Sequence, residues 1–351
     1  MSRDLDLEQR YRRVLRLLPG YYRQQWEDDM VGTFLDGWLT GDDAETDEYI
    51  SKAARPEWAE IASVACLAAR LYLGGAGTPR RFFAWGQAVR RAVLAVVLLH
   101  AVLGLDILVR ASWSHRLFGL PVPPAFLTIF SPVGVWPTVY YAVNAAWIVI
   151  FLALVLGRYR TAQVLAVLAI VPGLVASLQA QFTGSMPAPF ASWAFWIPLS
   201  LAPVLAMAAF HADAPPAARW PWLLALPAGD LLVVVPLLAL QASSNYAWVP
   251  DFPGQCCLLV ALACLAHTPT ARSRRAAGPG AWSLALALLA AVAAVYRIAS
   301  LTEYLHDPHM IAVGLGELLI LGTAAALVAP DAARAQAATP PPPANPHPMA
   351  A

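Results

Sequence analysis

Long apolar segments dominate the chain between Ala92 and Pro330. Two of the clearest are Ala92–Val109, interrupted only by His100 and Asp106, and Trp220–Gln241. A hydrocarbon layer of roughly 30 Å needs about 20 mostly apolar residues in each helix that crosses it. These segments reach that length and are separated by short turns. The pattern therefore predicts an all-α fold, a polytopic transmembrane helical bundle.

Turns and charges divide residues 91–330 into about eight predicted spans. They lie near Arg91–Ala111, Val135–Leu156, Thr161–Gln181, Ser192–His211, Pro221–Gln241, Tyr246–His267, Ala281–Ser300 and Met310–Ala329. The sixth has a short apolar core, Cys256–Ala266, so a seven-span arrangement with a re-entrant segment stays open.

The distribution of arginines predicts how the bundle is threaded. Positive charges accumulate in the cytoplasmic loops of membrane proteins. One set of alternate loops and ends holds most of them: Arg80, Arg81, Arg90, Arg91, Arg158, Arg160, Arg219, Arg272, Arg274, Arg275 and Arg334. The opposite side holds Arg116, with Arg110 and Arg297 near outer helix ends. This bias predicts an even number of spans in the plasma membrane (the inner membrane), with both termini cytoplasmic.

Residues 1–73 have a different pattern, which predicts a small cytoplasmic helical domain. Apolar residues recur at helical spacing from Leu7 to Leu18, with charged residues between them, and Pro19-Gly20 ends this helix. A second helix carries Trp26, Met30, Phe34 and Trp38 four residues apart. A third follows Pro56, and its predicted buried stripe is Ile61, Val64, Ala68 and Leu71. The charges on the other faces, such as Arg12 and Asp28, are interpreted as solvated.

The run from Tyr11 to Pro19, followed by Tyr22-Arg23 and then by Glu27, Met30, Phe34 and Asp36, resembles the HAAS-type signalling and permease-prefix domains. These short helical domains precede many bacterial membrane proteins. The resemblance covers about 40 residues, and the membrane part resembles no permease family. It implies a link to transport permeases or to transcriptional regulators. The Arg-, Ala- and Pro-rich, almost Lys-free composition resembles that of a high-GC actinobacterium.

Charge separates the two parts of the chain. Residues 1–79 hold nine Lys and Arg against fourteen Asp and Glu, a net charge of −5, whereas residues 80–351 hold fourteen against eight, a net charge of +6. The acidic head lacks the basic surface of a nucleic-acid binder, so no nucleic-acid partner is predicted. The charged segment Met1–Arg16 has no apolar core and is not read as a signal peptide.

Two further segments flank the predicted bundle. Residues 74–90 are read as a flexible linker, Gly74–Pro79, followed by a juxtamembrane segment. Arg80 and Arg81, with neighbouring aromatic residues, are expected to contact anionic membrane lipid. Residues 331–351 include Pro340–Pro343 and are predicted to form a disordered cytoplasmic tail.

Ionisable residues inside the predicted spans are the main candidates for function. Asp230 and Glu317 are expected to form either a protonatable pair or cation site, or two neutral acids held by hydrogen bonds. Asp106 precedes Arg110 by one helical turn, so it is interpreted as a structural ion pair. His100 is interpreted as a hydrogen-bonded helix contact in preference to a proton relay.

A second group of candidates lies in the predicted outer loop: Glu303, His306, Asp307 and His309. Such a group could bind a divalent metal or sense pH, although Pro308 indicates a turn and an ordinary polar loop is the preferred interpretation. Cys264 and His267 are three residues apart, but the four cysteines are read as small packing residues. No metal, other cofactor or catalytic residue is predicted, and no small-molecule ligand can be named.

These observations favour an integral membrane protein that acts in signalling or regulation and is not an enzyme. Residues 1–73 would contact a protein partner, and the bundle would be an anchor or sensor. The alternative is a secondary transporter in which Asp230 and Glu317 couple protons or cations to a solute. Proline and glycine inside the spans, such as Pro172-Gly173, fit this alternative.

Overall fold

The computed structural model describes residues 4–39, 57–74, 78–117, 136–182, 197–211, 218–234, 251–273, 281–302 and 304–337. Across these ranges the chain is helical and contains no β-strand. The head consists of α1 (Asp4–Leu15), α2 (Gly20–Leu39) and α3 (Trp58–Tyr72). The predicted all-helical class is therefore confirmed.

The described part of the body contains eight α-helices. They are α4 (Arg80–Leu117), α5 (Trp136–Val155), α6 (Tyr159–Phe182), α7 (Ile197–Ala206), α8 (Arg219–Gly229), α9 (Phe252–Ser273), α10 (Ala281–Leu301) and α11 (Pro308–Ala337). A 3₁₀ turn, Met207–Ala209, follows α7, and a π-helical turn, Asp230–Val234, follows α8.

Three helical segments are long and apolar enough to cross a membrane: Arg80–Leu108, Ala281–Leu301 and Pro308–Ala337. Shorter apolar helices cover Ala142–Val155, Tyr159–Val175 and Phe252–Thr268. Three helices of this length and composition are compatible with a membrane protein. The count of about eight spans and the direction of threading stay predictions.

Two boundaries differ from those predicted. Helix α4 begins at Arg80, so the predicted juxtamembrane segment and first span form one continuous helix. Helix α11 continues through Pro330 to Ala337, past the predicted start of the disordered tail. An ion pair of 2.7 Å between Arg334 and Asp331 lies on this last part of the helix. Helical propensity and this i,i+3 pair extend the helix where the apolar pattern has already ended.

The head has its own apolar core. Leu15 and Leu18 are fully buried, and Val31, Val64 and Phe34 pack with them. The rings of Tyr11 on α1 and Phe34 on α2 stack with centroids 4.0 Å apart. Of the stripe predicted on α3, Val64, Ala68 and Leu71 are buried. Trp26, predicted on the packed face of α2, is largely exposed.

Arg12 links two helices of the head. Its guanidinium donates to Glu8 on α1 at 2.8 Å, and to Glu27 and Asp28 on α2 at 3.3 and 2.9 Å. The hydrogen bond with Glu8 and then that with Asp28 raise the pKa of Arg12 above its ordinary value. Arg12 therefore belongs to a partly exposed contact between α1 and α2, although the sequence pattern placed it on a solvated face.

The body packs in two groups around α4. One core joins α4 to α5 and α6, with Val97, Ile150 and Phe151 fully buried. A second core joins α9, α10 and α11 through small residues such as Cys257, Ala261 and Ala290. Helix α4 also packs against α10, where Ala88 meets Ala285. Helices that follow one another in the chain thus pack together within each group, and α4 connects the two groups.

Candidate functional site

A buried arginine joins the three C-terminal helices at one end of their bundle. Arg297 on α10 has no exposed surface. Its Nη1 donates to both carboxylate oxygens of Asp251, at 2.8 and 2.7 Å, and also lies 3.2 Å from the hydroxyl of Ser300. Asp251 immediately precedes α9, so this contact ties the beginning of α9 to the end of α10.

Glu317 on α11 completes the site from a third helix. Its Oε2 lies 2.7 Å from Nε of Arg297, and the residue is only 6 % exposed. The Nε–H is not aligned with this oxygen, so the contact is an ion pair without hydrogen-bond geometry. Asp251, Arg297 and Glu317, called the triad below, therefore place two carboxylates against one guanidinium.

Local structure explains why Asp251 holds its position. Its Oδ1 accepts a hydrogen bond of 3.1 Å from the backbone N–H of Gly254, and its carbonyl accepts one of 2.9 Å from Gln255. This is the arrangement of a helix N-cap, which satisfies donors that the first turn of a helix leaves free. Asp251 thus caps α9 and binds Arg297 at the same time.

Two glycines give the triad its space. A Cβ at Gly254 would lie 2.8 Å from Oε2 of Glu317, and one at Gly314 would lie 3.0 and 3.1 Å from Nε and Nη2 of Arg297. Real Cβ atoms do not approach other atoms as closely as the first of these distances. Gly254 on α9 therefore lets the carboxylate of α11 reach the guanidinium of α10.

The sequence analysis found only part of this site. Glu317 was singled out, but Arg297 was placed with the outer loop and Asp251 was missed. One signal was available, because Asp251-Phe252-Pro253-Gly254 before an apolar run is typical of a capped helix start. The contact with Arg297, 46 residues later, has no local signal.

Asp230 does not share the neighbours of Glu317. It begins the π-helical turn after α8, and Asp106 on α4 lies close enough for the two charges to interact. Its Oδ1 is buried without a hydrogen-bond partner, and Asp106 is only 8 % exposed. The structure thus pairs Asp230 with Asp106, where the sequence analysis expected Glu317. The predicted contact of Asp106 with Arg110 falls on a side chain outside the described part.

His100 makes contacts within and between helices. Its Nδ1 donates to the carbonyl of Val96 at 2.9 Å, one turn earlier on α4. Its ring lies 4.7 Å from the ring of Trp147 on α5. These contacts favour the interpretation of His100 as a helix contact, since the Nδ1 proton is held by a backbone carbonyl.

The residues of the predicted outer loop are only partly brought together. Oδ1 of Asp307 accepts hydrogen bonds from the backbone of His309 and Met310, at 3.0 and 3.2 Å, and so caps α11. His306 and His309 are exposed, and Glu303 lies outside the described residues. A turn does lie here: the backbone N–H of Asp307 donates to the carbonyl of Tyr304 at 2.9 Å. Pro308 follows this turn as the first residue of α11, a position that suits a residue without a backbone N–H.

The described residues contain no group of three His, Cys, Asp or Glu placed to hold a metal ion. Cys257 and Cys264 are fully buried in the core of α9, α10 and α11, and Cys66 is exposed on the head. His267, three residues after Cys264, lies with Nε2 3.0 Å from the hydroxyl of Ser283 on α10.

A second region of interest is the junction between head and body. Arg90 on α4 is 3 % exposed, and its Nη1 donates to the carbonyls of Leu73 and Ala209, at 3.2 and 3.1 Å. Leu73 ends α3 of the head, and Ala209 ends the 3₁₀ turn of the body. A Cβ at Gly86 would overlap the carbonyl of Leu73, so the two backbones are in direct contact.

This junction was not predicted from the sequence. Arg90, the last residue of the predicted juxtamembrane segment, lies inside the protein and binds carbonyls that a helix end leaves without partners. Arg91 stacks over the ring of Trp282, 5.0 Å from its centroid. Tyr21 and Tyr72 of the head pack against Phe82 of α4. The head is therefore docked on the body.

The head also has an open groove between its helices. Tyr11, Met30, Thr33 and Phe34 line it together with three acids, Asp29, Glu57 and Glu60. Burial, followed by the negative charge of Glu60, raises the pKa of the Tyr11 hydroxyl above its ordinary value. The backbone N–H of Glu57 donates to Oε2 of Glu60 at 3.2 Å, which fixes the start of α3. The groove combines aromatic surface with negative charge.

Comparisons with known proteins identify no relative. No protein-family model, no curated protein and no solved structure matches this chain.

Proposed function

We propose that this protein is a multi-pass membrane protein of about eight spans, with both termini in the cytoplasm, that serves in signalling or regulation. Its head, residues 1–73, would bind a protein partner, and the bundle would anchor the head or report a state of the membrane or its outer side. We place it in the plasma membrane of a bacterium and assign it no enzymatic activity.

The observation that carries this proposal is the contact between Arg90 and the two carbonyls of Leu73 and Ala209. A head used only as a tethered binding module would need no buried contact with the body. Here the end of α3, the last helix of the head, contacts α4, which continues into the apolar bundle. A shift of α4 would therefore move the head, and a partner on the head would bias the bundle.

The partner that fits the groove is a protein segment with both basic and apolar side chains. Asp29, Glu57 and Glu60 supply negative charge, while Tyr11 and Phe34 supply aromatic surface. Opposite charge at the rim of an interface favours association and register, and aromatic residues in its centre supply most of the affinity. The head has a net negative charge, which also favours a basic partner.

The test is crosslinking and pull-down of the full-length protein from its native membrane. We expect a defined partner whose crosslinked peptide carries Lys or Arg. Its capture should be lost in Asp29→Lys combined with Glu57→Lys and kept in the control Asp36→Lys, because Asp36 is exposed on the same head but does not line the groove. Capture unaffected by the groove variant would reject the partner site.

The transporter alternative rests on a different observation, the buried Oδ1 of Asp230 beside Asp106. Two acids at membrane depth are expensive unless they bind a proton or cation. Proton-coupled uptake into vesicles would be abolished by Asp230→Asn if this alternative holds. Under the signalling proposal, Asp230→Asn leaves partner capture unchanged.

A further inference from the structure

We propose that the triad is a proton-binding site in which Glu317 carries the proton, and that its occupancy sets the packing of α9 on α10 and α11. The site lies in the described C-terminal helices, away from the head and its groove. It therefore stands apart from the proposed function, and either can fail without the other.

The first argument is the balance of charge. Arg297 supplies one positive charge, whereas Asp251 and Glu317 supply two negative charges when both are ionised. Arg297 and Glu317 are almost completely buried. An uncompensated charge in such surroundings is unfavourable, so the group takes up a proton and becomes neutral. When one of the two acids of the triad is protonated, the single carboxylate that remains balances the charge of the guanidinium.

The second argument assigns that proton to Glu317. Asp251 accepts two hydrogen bonds from Arg297 and one from the backbone of Gly254, and its side chain is 21 % exposed. All of these favour its ionised form. Glu317 has one close cationic contact, Nε of Arg297 at 2.7 Å, but its Oε2 receives no well-aligned hydrogen bond. The residue is only 6 % exposed, so burial opposes its ionised form more strongly than it does for Asp251. Asp251 therefore stays ionised, and Glu317 is the acid that titrates.

The groups facing Glu317 come from each helix packed around it. Helix α10 contributes Arg297, and α9 contributes Asp251 and the thiol of Cys257, which interacts electrostatically with Glu317. Helix α4 meets α11 at the other end of that helix, where Ala88 packs near Ala332. Among the described residues, Arg297 is thus the cation that faces Glu317, and its Nη1 already donates two hydrogen bonds to Asp251.

The link to packing comes from Gly254. The space that a Cβ would fill at this glycine is occupied by the carboxylate of Glu317, so α9 lies directly on the titrating group. Loss of the proton puts a second negative charge beside the N-cap of α9, where Asp251 is already negative. The two carboxylates interact electrostatically and like charges repel, so deprotonation loosens the start of α9 from α10 and α11.

The test is infrared spectroscopy of the full-length protein in lipid, titrated with pH. The wild type should show a carboxylic-acid C=O band that is replaced by a carboxylate band as pH rises. This band should be lost in Glu317→Gln and kept in Asp230→Asn, which removes another buried acid. The proposal would be overturned if the carboxylic-acid C=O bands of the wild type and of Glu317→Gln were the same.

Asp251→Asn tests the same site without altering Glu317. An asparagine keeps the oxygen that caps α9 and leaves one carboxylate facing one guanidinium. Glu317 then stays ionised, so its C=O band should vanish although the residue is present. A band unchanged in Asp251→Asn would show that Asp251 and Glu317 do not share one positive charge, and would overturn the proposal.

Alkylation of Cys257 measures the packing. This thiol is fully buried and donates to the carbonyl of Ala293 on α10 at 3.6 Å. The other three cysteines are replaced by alanine, and the rate at which Cys257 reacts with a maleimide is measured over a range of pH, with Asp251 intact and in Asp251→Asn. The rate with Asp251 intact, divided by the rate in Asp251→Asn, should rise several-fold with pH. The ratio removes the ordinary effect of pH on a thiol. A constant ratio would overturn the link between the proton and packing.

Discussion

The Nε of Arg297 lies 2.7 Å from Oε2 of Glu317, and this contact joins α10 and α11, two of the helices that are long and apolar enough to cross a membrane. Through Asp251 the same guanidinium reaches a third helix. Three helices are therefore held in one relative register by charged groups, where small apolar residues such as Ala261 and Ala290 provide the remaining contacts.

Removal of the central charge should destabilise this part of the protein strongly. Arg297→Gln leaves the Asp251 carboxylate and the buried Glu317 without their fully buried cation, and loss of one partner of a buried ion pair costs about 3–5 kcal/mol. Thermal unfolding in detergent should show a clear decrease in the midpoint. The control is Arg334→Gln, because Arg334 is 59 % exposed and pairs with Asp331 on the surface. A surface pair contributes about 0–1 kcal/mol, so equal decreases would contradict the role of Arg297.

A methyl group at Gly254 should disturb the triad although glycine itself carries no chemistry. Gly254→Ala places a Cβ against the carboxylate at the end of the flexible Glu317 side chain, which must move away from Arg297, so we expect a loss at the low end of the about 1–3 kcal/mol typical of overpacking. The matched control is Gly316→Ala on α11, where nothing lies within 4 Å of the added Cβ. Alanine there should be neutral or stabilising, since it favours helix. Thermal unfolding in detergent should give a lower midpoint for Gly254→Ala than for Gly316→Ala. A lower midpoint for Gly316→Ala would contradict the close approach of Gly254 to Glu317.

The junction between head and body should open when Arg90 loses its donors. Arg90→Met keeps an unbranched side chain but leaves two buried carbonyls without their partner, at about 1–3 kcal/mol for an unsatisfied group. We expect faster cleavage between residues 73 and 80 under limited proteolysis in membranes. Arg80→Met is the control, because Arg80 is exposed at the start of the same helix. Equal cleavage rates for both variants would show that Arg90 does not hold the head.

Removal of a buried side chain from the core of the head should unfold the head and leave the bundle folded. Leu15 is fully buried between α1 and its neighbours, and Leu→Ala at such a site costs about 2–5 kcal/mol. A domain of this size buries little surface and has a small free energy of unfolding. Leu15→Ala should make residues 4–39 sensitive to protease while residues 281–337 stay protected. Leu17→Ala, at a position 48 % exposed, should behave as the wild type, and protection of both variants would contradict the core assignment.

Periodicity was informative wherever one face of a helix is buried against its nearest neighbours. Three of the four residues predicted for the buried stripe of α3 are buried and the fourth, Ile61, is partly buried, because burial of one helical face leaves a regular spacing in the sequence. The same reasoning misplaced Trp26, since an aromatic residue at the right spacing need not lie on the packed face. Ends of helices were less predictable. Arg80 and Ala337 extend α4 and α11 beyond their apolar patterns.

The acids singled out in the sequence have partners in the structure that the sequence analysis did not assign to them. Glu317 and Asp230 stand out because acids are rare among apolar residues, but nothing in the order of the sequence pairs Glu317 with Arg297 or Asp230 with Asp106. The contacts of Arg90 likewise have no signal in the sequence, because the carbonyls it binds belong to the end of α3 and to the turn after α7.

The sequence by itself therefore determined the helical class, the apolar segments suited to a membrane and the separate acidic head, because each depends on composition and spacing along one helix. The tertiary structure alone decided the triad and the docking of the head on α4. Both depend on contacts between distant segments, such as Asp251 with Arg297. Pairwise electrostatics and close backbone approach act through space, and the side-chain pattern of a single helix does not record them.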